Sequence, residues 1–585
     1  MPPLTSEIAP DKSRAAPSGD DDHLYLPGYI RDLFREARTY RAPLVGEWNR
    51  NYSLLHNRTW GRRPDHLPSP EIAEIWPIVA GQVGWMTDQR PEFQFSPVSS
   101  RQSPLVDYMS VLADDLGYVT RALWNSLNFD GANEQMLWDT CTTGTGFMKT
   151  LWDPRRSRGL GDPVMRRVDP YTFLVDPSAS SMEDSNYFIE ARIVSLQELD
   201  RRFPGSFDRL AYGASRDDID ESPNRVPSWS QQSHNNPMVV PPGTAPTKSS
   251  TTSTTPTTAR WLYHKGVTVY EAWLRQHEFV DGETRDYWRC VIVAGNIVLL
   301  DIRADKLWNH GMHPYDKTVL IDTGEFWGQS LVGLLASPQI ELNRLLAAIS
   351  QNVFLTGNPV MLDYAGSGIS RGQITNRAGQ RLTATNPSMK PEWLTPPQIQ
   401  NQMPRWLMAH YTSRMENVSG LPASNRGQAL PGRNSGEVVN TIQDAGFNRV
   451  RLALRNWERC LVSSGYKFAS MISQFYDEPR WIALAGQDGT KQFREFRRNH
   501  FHVPGPDGYG PMDFGLTVDA GSSLPTSRQA LAALAVTLFG MGAIDRQDLL
   551  SVLNWPNRHQ TLQRVNALEA VGQFAAPGAR ASARA

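Results

Sequence analysis

The segment FWGQSLVGLLASPQIELNRLLAAISQNVFLTGNPVML, Phe326 to Leu362, decides the fold, because it joins a long helical pattern to a polar face with little charge. Apolar residues recur at helical spacing, at Leu331, Leu334, Leu335, Pro338, Leu342, Leu345, Leu346, Ile349 and Val353. The opposite face carries Gln339, Asn343, Ser350, Gln351 and Asn352, with charges only at Glu341 and Arg344. A helix face that meets bulk water normally carries more charge. The pattern therefore predicts a long helix whose polar side faces something other than plain solvent.

Length and charge narrow the class of protein. The chain has 585 residues, which suggests roughly three or four domains. Apolar residues make up 40% and charged residues 20%, so the chain can bury a sizeable core. Its 59 basic and 60 acidic residues give a formal charge of −1, which argues against a protein that grips nucleic acid over a wide surface. This balance does not exclude DNA that passes through without being gripped.

The cysteines and the apolar runs predict an intracellular, soluble protein at synthesis. Cys141, Cys290 and Cys460 are odd in number and far apart, which favours a reducing compartment and no disulfide framework. The first 23 residues have no apolar core of a signal peptide. The longest apolar stretch, Ala530–Ile544, is too short to span a bilayer. We therefore expect no membrane segment.

The first half of the chain alternates between helical and strand patterns. Residues 1–22 are predicted to be disordered. A helical pattern follows, with Pro43 as a kink or break, and the next helix is expected to begin at an N-cap on Ser69. Three short apolar runs then end in Asp-Pro, at Asp153, Asp169 and Asp176, and predict a small antiparallel sheet with turn-capping aspartates; the short helix SLQELDRRFP follows them.

The second half contains the longer helices. Residues 212–258 are rich in Pro, Ser and Thr and are predicted to form a flexible loop. Strand patterns resume after it, and helices are expected at about 398–419 and at about 435–476. Between these helices lies the glycine-rich, basic segment Ala423–Gly436, and the chain is helical again after Pro525. The fold class is therefore α+β and predominantly helical.

A search for catalytic and metal-binding motifs finds none that holds. There is no phosphate-binding Gly-rich loop, no nucleophile elbow and no zinc-protease motif. The pairs His310/His313 and His500/His502 lack further ligands nearby in the sequence. Ser464 and Lys467 match a Ser-x-x-Lys pattern, but without partner motifs they are expected to lie on a helix surface. The pairs Arg62/Arg63 and Arg166/Arg167 are expected on solvated faces, and the sequence predicts no catalytic residue, no metal and no cofactor.

Two stretches carry a resemblance to a known family. The first is GTGFMKTLWDP…GDPVMRRVDPYTFLVDPSA, within Gly144–Ala179. The second is the order of FWGQSLVGLLASPQIELNRLLAAISQN, GLPASNRGQALPGRNSGEVVNTIQ and LTVDAGSSLPTSRQALAALAVTLFGMGAIDRQDLL. In this order of pieces the chain resembles the portal proteins of tailed double-stranded DNA bacteriophages, from about Tyr29 to about Glu569. No single motif is specific to that family.

The resemblance implies a portal fold that assembles as a dodecameric ring at one capsid vertex, with a channel for genome packaging and ejection. It implies the following parts: a wing at 23–325 with the flexible loop 212–258, a first stem helix at 326–356, a clip at 357–395, a second stem helix at 396–420, a tunnel loop at 421–436, a long wing helix and β region at 437–524, and a crown with C-terminal tail at 525–585. The expected location is the virion, with assembly in the host cytoplasm.

The resemblance also assigns sites and partners. The channel wall is expected at Gln339, Asn343, Ser350 and Gln351. The clip is expected to contact the terminase large subunit and then a head-tail adaptor protein, through Arg371, Gln373, Arg377 and Arg381. The tunnel loop contributes Asn425, Arg426, Gln428, Arg433 and Asn434. Arg426 and Arg433 either contact phosphates transiently or pair with acidic residues of neighbouring chains. Double-stranded DNA, the major capsid protein and a scaffold complete the partners.

Two other functions remain open at this stage. One is a nucleic-acid-processing enzyme with an unrecognised site, against which the near-neutral charge and the empty motif search both count. The other is a capsid-associated scaffold that forms no channel.

Overall fold

The computed structural model describes most of the chain between Asp22 and residue 565, with gaps. The described residues are 22–60, 64, 67–88, 90–97, 106–213, 266–280, 282–357, 360–364, 366–369, 381, 383, 385–386, 388–389, 392–394, 402–420, 436–485, 491–497, 502–505, 508–511, 514–519, 528–553, 561–562 and 564–565. The predicted disordered tail falls outside them except at Asp22, and most of the predicted flexible loop 212–258 also lies outside.

Helices and strands both contribute to the fold, as the α+β prediction requires. The helices are α1 (Asp22–Leu55), α2 (Ile75–Thr87), α3 (Val106–Ser126), α4 (Phe129–Thr143), α5 (Leu196–Arg202), α6 (Ser206–Gly213), α7 (Ala304–Leu307), α8 (Leu331–Gly357), α9 (Gln402–Ser419), α10 (Gly436–Phe475), α11 (Arg528–Gly540) and α12 (Arg546–Val552). The strands are β1 (Glu92–Pro97), β2 (Thr145–Asp153), β3 (Asp162–Val168), β4 (Phe173–Val175), β5 (Tyr187–Ser195), β6 (Gly266–Val280), β7 (Glu283–Ala294), β8 (Ile297–Arg303), β9 (Tyr315–Val319), β10 (Val360–Leu362), β11 (Glu392–Leu394), β12 (Arg480–Ala485), β13 (Lys491–Phe496), β14 (His502–Gly505), β15 (Gly508–Pro511) and β16 (Phe514–Asp519).

The sheets are antiparallel throughout the described pairings. A five-stranded sheet has the order β4-β5-β6-β7-β8, and a three-stranded sheet has the order β3-β2-β9. The sequence predicted one small sheet from β2, β3 and β4, but β4 pairs with β5 instead. The turn aspartates were predicted correctly: Asp153, Asp169 and Asp176 each accept a hydrogen bond from a backbone N–H two residues further on, at 3.2, 3.0 and 3.0 Å.

Two helix boundaries near the N-terminus differ from the prediction. Helix α1 continues through Pro43 for 34 residues, because Leu44, Val45 and Trp48 pack into an aromatic core and hold this turn in place. Helix α2 begins at Ile75 rather than at Ser69. The carboxylate of Glu71 instead accepts hydrogen bonds from the backbone of Thr59 and Trp60, at 2.8 and 3.3 Å, which holds this segment in a loop.

The long helix α10 is the main support of the core. It spans 40 residues, Gly436–Phe475, close to the predicted range. Ser464 and Lys467 do not lie on its surface, as the sequence suggested, but are buried. The Nζ of Lys467 donates to Asp316 of β9 at 2.7 Å, and the Ser464 hydroxyl donates to the same carboxylate at 2.8 Å. This buried ion pair joins α10 to the three-stranded sheet.

A close backbone approach fixes the start of α8. Gly144 ends α4 with φ of 91°. A Cβ on Gly144 would overlap the carbonyl group of Gly328, just before α8. Asn51 of α1 ties the same place together, since its Nδ2 donates to the Thr142 carbonyl at 3.1 Å and to the Ser330 hydroxyl at 2.9 Å. The first turn of α8 is therefore anchored to α1 and α4.

Candidate functional site

Helices α8 and α9 form an antiparallel hairpin. Leu331 and Leu334 at the start of α8 line the same cleft as Val418 and Ser419 at the end of α9, so the two helices run in opposite directions. At the other end, the short strands β10 and β11 pair antiparallel and close the segment that connects the helices. The 27 residues of α8 extend for about 40 Å at 1.5 Å per residue. Both helices appear where the sequence predicted them.

Two of the four predicted channel-wall residues are internal to the subunit. Gln339 and Asn343 are 2% and 0% exposed. Asn343 donates to the Thr59 hydroxyl at 2.8 Å and accepts from the backbone N–H of Ile72 at 3.2 Å. Gln339 donates to the Ile72 carbonyl at 2.7 Å. The prediction that these two amides line a channel is therefore wrong: they satisfy the backbone of the loop that precedes α2.

The other two predicted wall residues remain accessible. Ser350 is half-buried and Gln351 is exposed. They lie in the second half of α8, after the last of its buried residues, Ala347. The exposed side chains of the helix recur at Ser337, Arg344, Ala348, Gln351 and Leu355. Arg344 donates to Glu341 at 2.6 Å, so the charges of this stripe pair with each other and its net charge is zero.

Most of the predicted clip and tunnel-loop residues lie outside the described part of the chain. This holds for Arg371, Gln373 and Arg377, and for Asn425, Arg426, Gln428, Arg433 and Asn434. Arg381 is described and exposed. The helix α9 ends at Ser419 and α10 begins at Gly436, so the predicted tunnel loop joins these two described helices.

Sequence reasoning missed a basic rim near the base of the hairpin. A cleft of about 500 Å³ lies between α2, the residues after β9, the start of α8, the end of α9 and α10. Arg455 and Arg459 of α10 line it and are exposed, one helical turn apart. The signal was their four-residue spacing opposite the apolar Leu454, Trp457 and Leu461, which places both guanidinium groups on the face away from the core.

A second cavity has aromatic walls and an ion pair. Its volume is about 550 Å³, and its lining includes Trp76, Trp138 and Tyr52. Arg167, expected on a solvated face, donates two hydrogen bonds to Asp139 there, one of them at 2.8 Å. Burial raises the pKa of Asp139 to about 7, against the opposing effect of Arg167. The carboxylate is therefore engaged by its partner rather than held ready as a general base.

The buried charges elsewhere are structural in their geometry. Lys149 donates to Glu190 at 2.8 Å and to Glu271 at 2.7 Å, between the two main sheets. Burial alone would raise the pKa of Glu271, but the cations Lys149 and Arg192 hold it below its usual range. Tyr315 donates to Glu190 at 2.9 Å and completes the network. Each of these groups is already partnered.

The thiols and the histidine pair do not form reactive sites. All three cysteines are buried, and burial raises the pKa of Cys141 to about 12, so its thiolate is not formed at neutral pH. The His313 ring packs against Phe188 and Trp288 with centroids 4.7 and 4.9 Å apart, and its neighbour His310 stacks on Trp308. Across the residues that the structure describes, no group of three or more His, Cys, Asp or Glu side chains is placed to hold a metal ion.

Comparison with known proteins identifies the family. None of the helices described here has the length and apolar character to cross a membrane. No curated protein matches the chain. The model of one family, described as phage SU10 portal protein, matches residues 153–499, more than half of the 585 residues. This match includes the α8–α9 hairpin and all of α10. The chain belongs to the phage SU10 portal protein family, and it is a phage portal protein.

Proposed function

We propose that this portal protein forms a dodecameric ring at one capsid vertex and that the ring's channel passes the genome during packaging and ejection. The family match over residues 153–499 carries this proposal. The described hairpin supports it, since the second half of α8 presents an uncharged, accessible face. A channel wall for sliding DNA needs weak contacts, because each fixed cation adds salt-dependent affinity for the phosphate backbone.

We propose that the parts of the portal follow the chain in order. The wing comprises residues 23–325 and 437–524, the stem the helices within 326–356 and 396–420, and the clip residues 357–395. The tunnel loop is 421–436 and the crown 525–585. Of the residues predicted from the sequence, Ser350 and Gln351 remain the proposed wall of the stem.

We propose two further contacts with partners. The clip arginines Arg371, Arg377 and Arg381, with Gln373, meet the terminase large subunit during packaging and a head-tail adaptor afterwards. The tunnel-loop residues Arg426 and Arg433, with their polar neighbours, touch DNA phosphates at the narrowest part of the channel. The major capsid protein and a scaffold surround the ring in the virion, after assembly in the host cytoplasm.

We propose that the protein is architectural and that the work of packaging comes from a separate motor. The chain has no phosphate-cradling Gly-rich loop, and the described charged groups of the core are partnered. The purified protein is therefore expected to release no phosphate from ATP above a buffer blank, in the presence or absence of DNA. ATP hydrolysis that co-elutes with the protein through successive columns would favour an enzyme instead.

Native mass spectrometry of the purified chain tests the ring. We expect one dominant assembly whose mass is a twelvefold multiple of the 65.7 kDa subunit. An assembly that stays monomeric over a wide range of concentration and salt would overturn the proposal.

A further inference from the structure

Large apolar side chains are exposed where the α8–α9 hairpin leaves the core. On α8 these are Val353, Phe354 and Leu355, which are 62%, 63% and 45% exposed. On α9 they are Met403 and Trp406, 62% and 61% exposed. We call these five residues the hairpin-end surface. Contiguous apolar patches of this kind mark sites of interaction on soluble proteins.

The surface begins where the subunit stops covering its own helix. The first part of α8 packs inside the subunit through Leu331, Val332, Leu335 and Leu342, and Ala347 is its last buried residue. From Ala348 to Gly357 no charged residue occurs. The sequence of this end is thus as apolar as a core segment, although the subunit leaves it open.

The directions of the side chains show that cover is needed on more than one side. Val353, Phe354 and Leu355 are consecutive, so at about 100° per residue they spread over roughly 200° of the helix circumference. A helix that is apolar around most of its circumference is normally buried on several sides. Helix α9 runs along α8 and covers one side. A single bound peptide would cover one more.

Identical neighbours on both sides satisfy this requirement. A head-to-tail contact, which closes rings, joins two different surfaces of the same chain. The end of α8 and the start of α9 are two such surfaces on two helices. The Trp406 ring is stacked on His410, with centroids 5.2 Å apart and planes 13° apart, so the anchor is ordered before contact. Tryptophan is also among the residues that most often dominate interface energy.

We propose that the hairpin-end surface is the main apolar contact between neighbouring copies of this chain, with the Val353–Leu355 end of α8 in one copy packed against Met403 and Trp406 of the next. This inference rests on the proposed ring. It adds which residues drive assembly and which surface pairs with which.

The first test replaces one anchor on each side. The double variant Phe354→Ser/Trp406→Ser is compared with the parent by mass photometry at matched concentrations. We expect the fraction of chains in rings to fall at least tenfold, while circular dichroism and the melting temperature of the free subunit stay unchanged, since both side chains are exposed in the subunit. The matched control is Phe279→Ser, because Phe279 is 74% exposed near the turn between β6 and β7. The control is expected to form rings like the parent.

The second test measures proximity directly and does not depend on loss of assembly. The double variant Phe354→Cys/Trp406→Cys is treated with a short bis-maleimide, and the three native cysteines are buried and protected. Contact between neighbours predicts a ladder of covalent multimers, whereas either single cysteine variant gives at most dimers.

The outcomes separate this inference from the proposed function. Rings in the parent and equally abundant rings in Phe354→Ser/Trp406→Ser, without a cross-linked ladder, overturn the inference and leave the portal function standing. A parent chain that forms no ring under any condition overturns both.

Discussion

Asn343 shows how a polar residue on a long helix divides between structure and function. Its amide joins α8 to Thr59 and Ile72, more than 270 positions earlier in the chain. The sequence predicted a polar, weakly charged helix face correctly. It did not indicate that the first half of this face is internal, because the partner is backbone from a distant loop and leaves no pattern near Asn343.

A pair of alanine variants on α8 tests this division. Asn343→Ala leaves a buried N–H of Ile72 without a partner, so we expect the free energy of unfolding to fall by about 1–3 kcal/mol. Gln351→Ala, on the exposed side of the same helix, is expected to change it by less than about 0.5 kcal/mol. Urea unfolding followed by tryptophan fluorescence measures both. Equal effects of the two variants would show that Asn343 is not a structural residue.

His313 gives the subunit a predictable sensitivity to acid. Burial, with the nearby Lys467 cation, holds the pKa of His313 well below its usual range. In the unfolded chain the pKa is ordinary, at about 6.5. The unfolded state therefore binds the proton first, so stability is fully present above pH 6.5 and is lost as the pH falls below it.

Replacing the ring without the titration isolates this effect. His313→Phe keeps an aromatic ring between Phe188 and Trp288. Between pH 7.5 and pH 5 we expect the parent to lose about 1–2 kcal/mol more stability than the variant. Urea midpoints at both pH values provide the measurement. If the two proteins lose stability in parallel, His313 is not the acid-sensitive group.

Helix positions followed from the sequence wherever apolar spacing was sustained, as in α8, α9 and α10. Boundaries set by contacts between distant segments did not follow. Glu71 caps the backbone of Thr59 and Trp60 and so delays the start of α2, while packing around Trp48 carries α1 through Pro43. Likewise, β4 left the predicted sheet because β5 offered a longer antiparallel neighbourhood.

The packing of α10 against the β1–β16 pair depends on the absence of one side chain. A Cβ on Gly465 would lie 2.5 Å from Cε1 of Phe93 and 2.7 Å from Cδ2 of Leu516. We expect Gly465→Ala to lower the free energy of unfolding by about 1–3 kcal/mol through overpacking.

The matched control is Gly84→Ala in α2, where a Cβ meets nothing within 4 Å. Here the helix gains from alanine, and stability is expected to rise by about 0.5–1 kcal/mol. Thermal melts of both variants provide the comparison. A shift in the same direction for the two glycines would contradict the close packing of α10 on this strand pair.

At the scale of the whole molecule, near-zero net charge suits a ring that conducts DNA without holding it. Basic groups are then needed only at a few points, and Arg426 and Arg433 are the proposed ones. The glycines around them, Gly427, Gly432 and Gly436, give the segment conformational freedom. Repeated around a ring, these arginines would form a basic collar that retains packaged DNA.

Removing the collar should affect retention rather than assembly. For Arg426→Ala/Arg433→Ala we expect rings in normal yield, fewer full heads, and a larger defect at high salt, where the remaining contacts are screened. The yield of DNA-filled heads at two salt concentrations measures the effect. Loss of rings would assign the arginines to ion pairs between neighbouring chains, and normal retention would leave them without a role.

The central claim is that this chain closes into a ring around a DNA channel, and a cryo-electron microscopy reconstruction of the purified protein tests it most directly. The account predicts a closed dodecamer with a central hole, with Ser350 and Gln351 of α8 on the side of the hole and Gln339 and Asn343 inside each subunit. Particles without a central hole, or a ring in which α8 lies away from the hole, would contradict it.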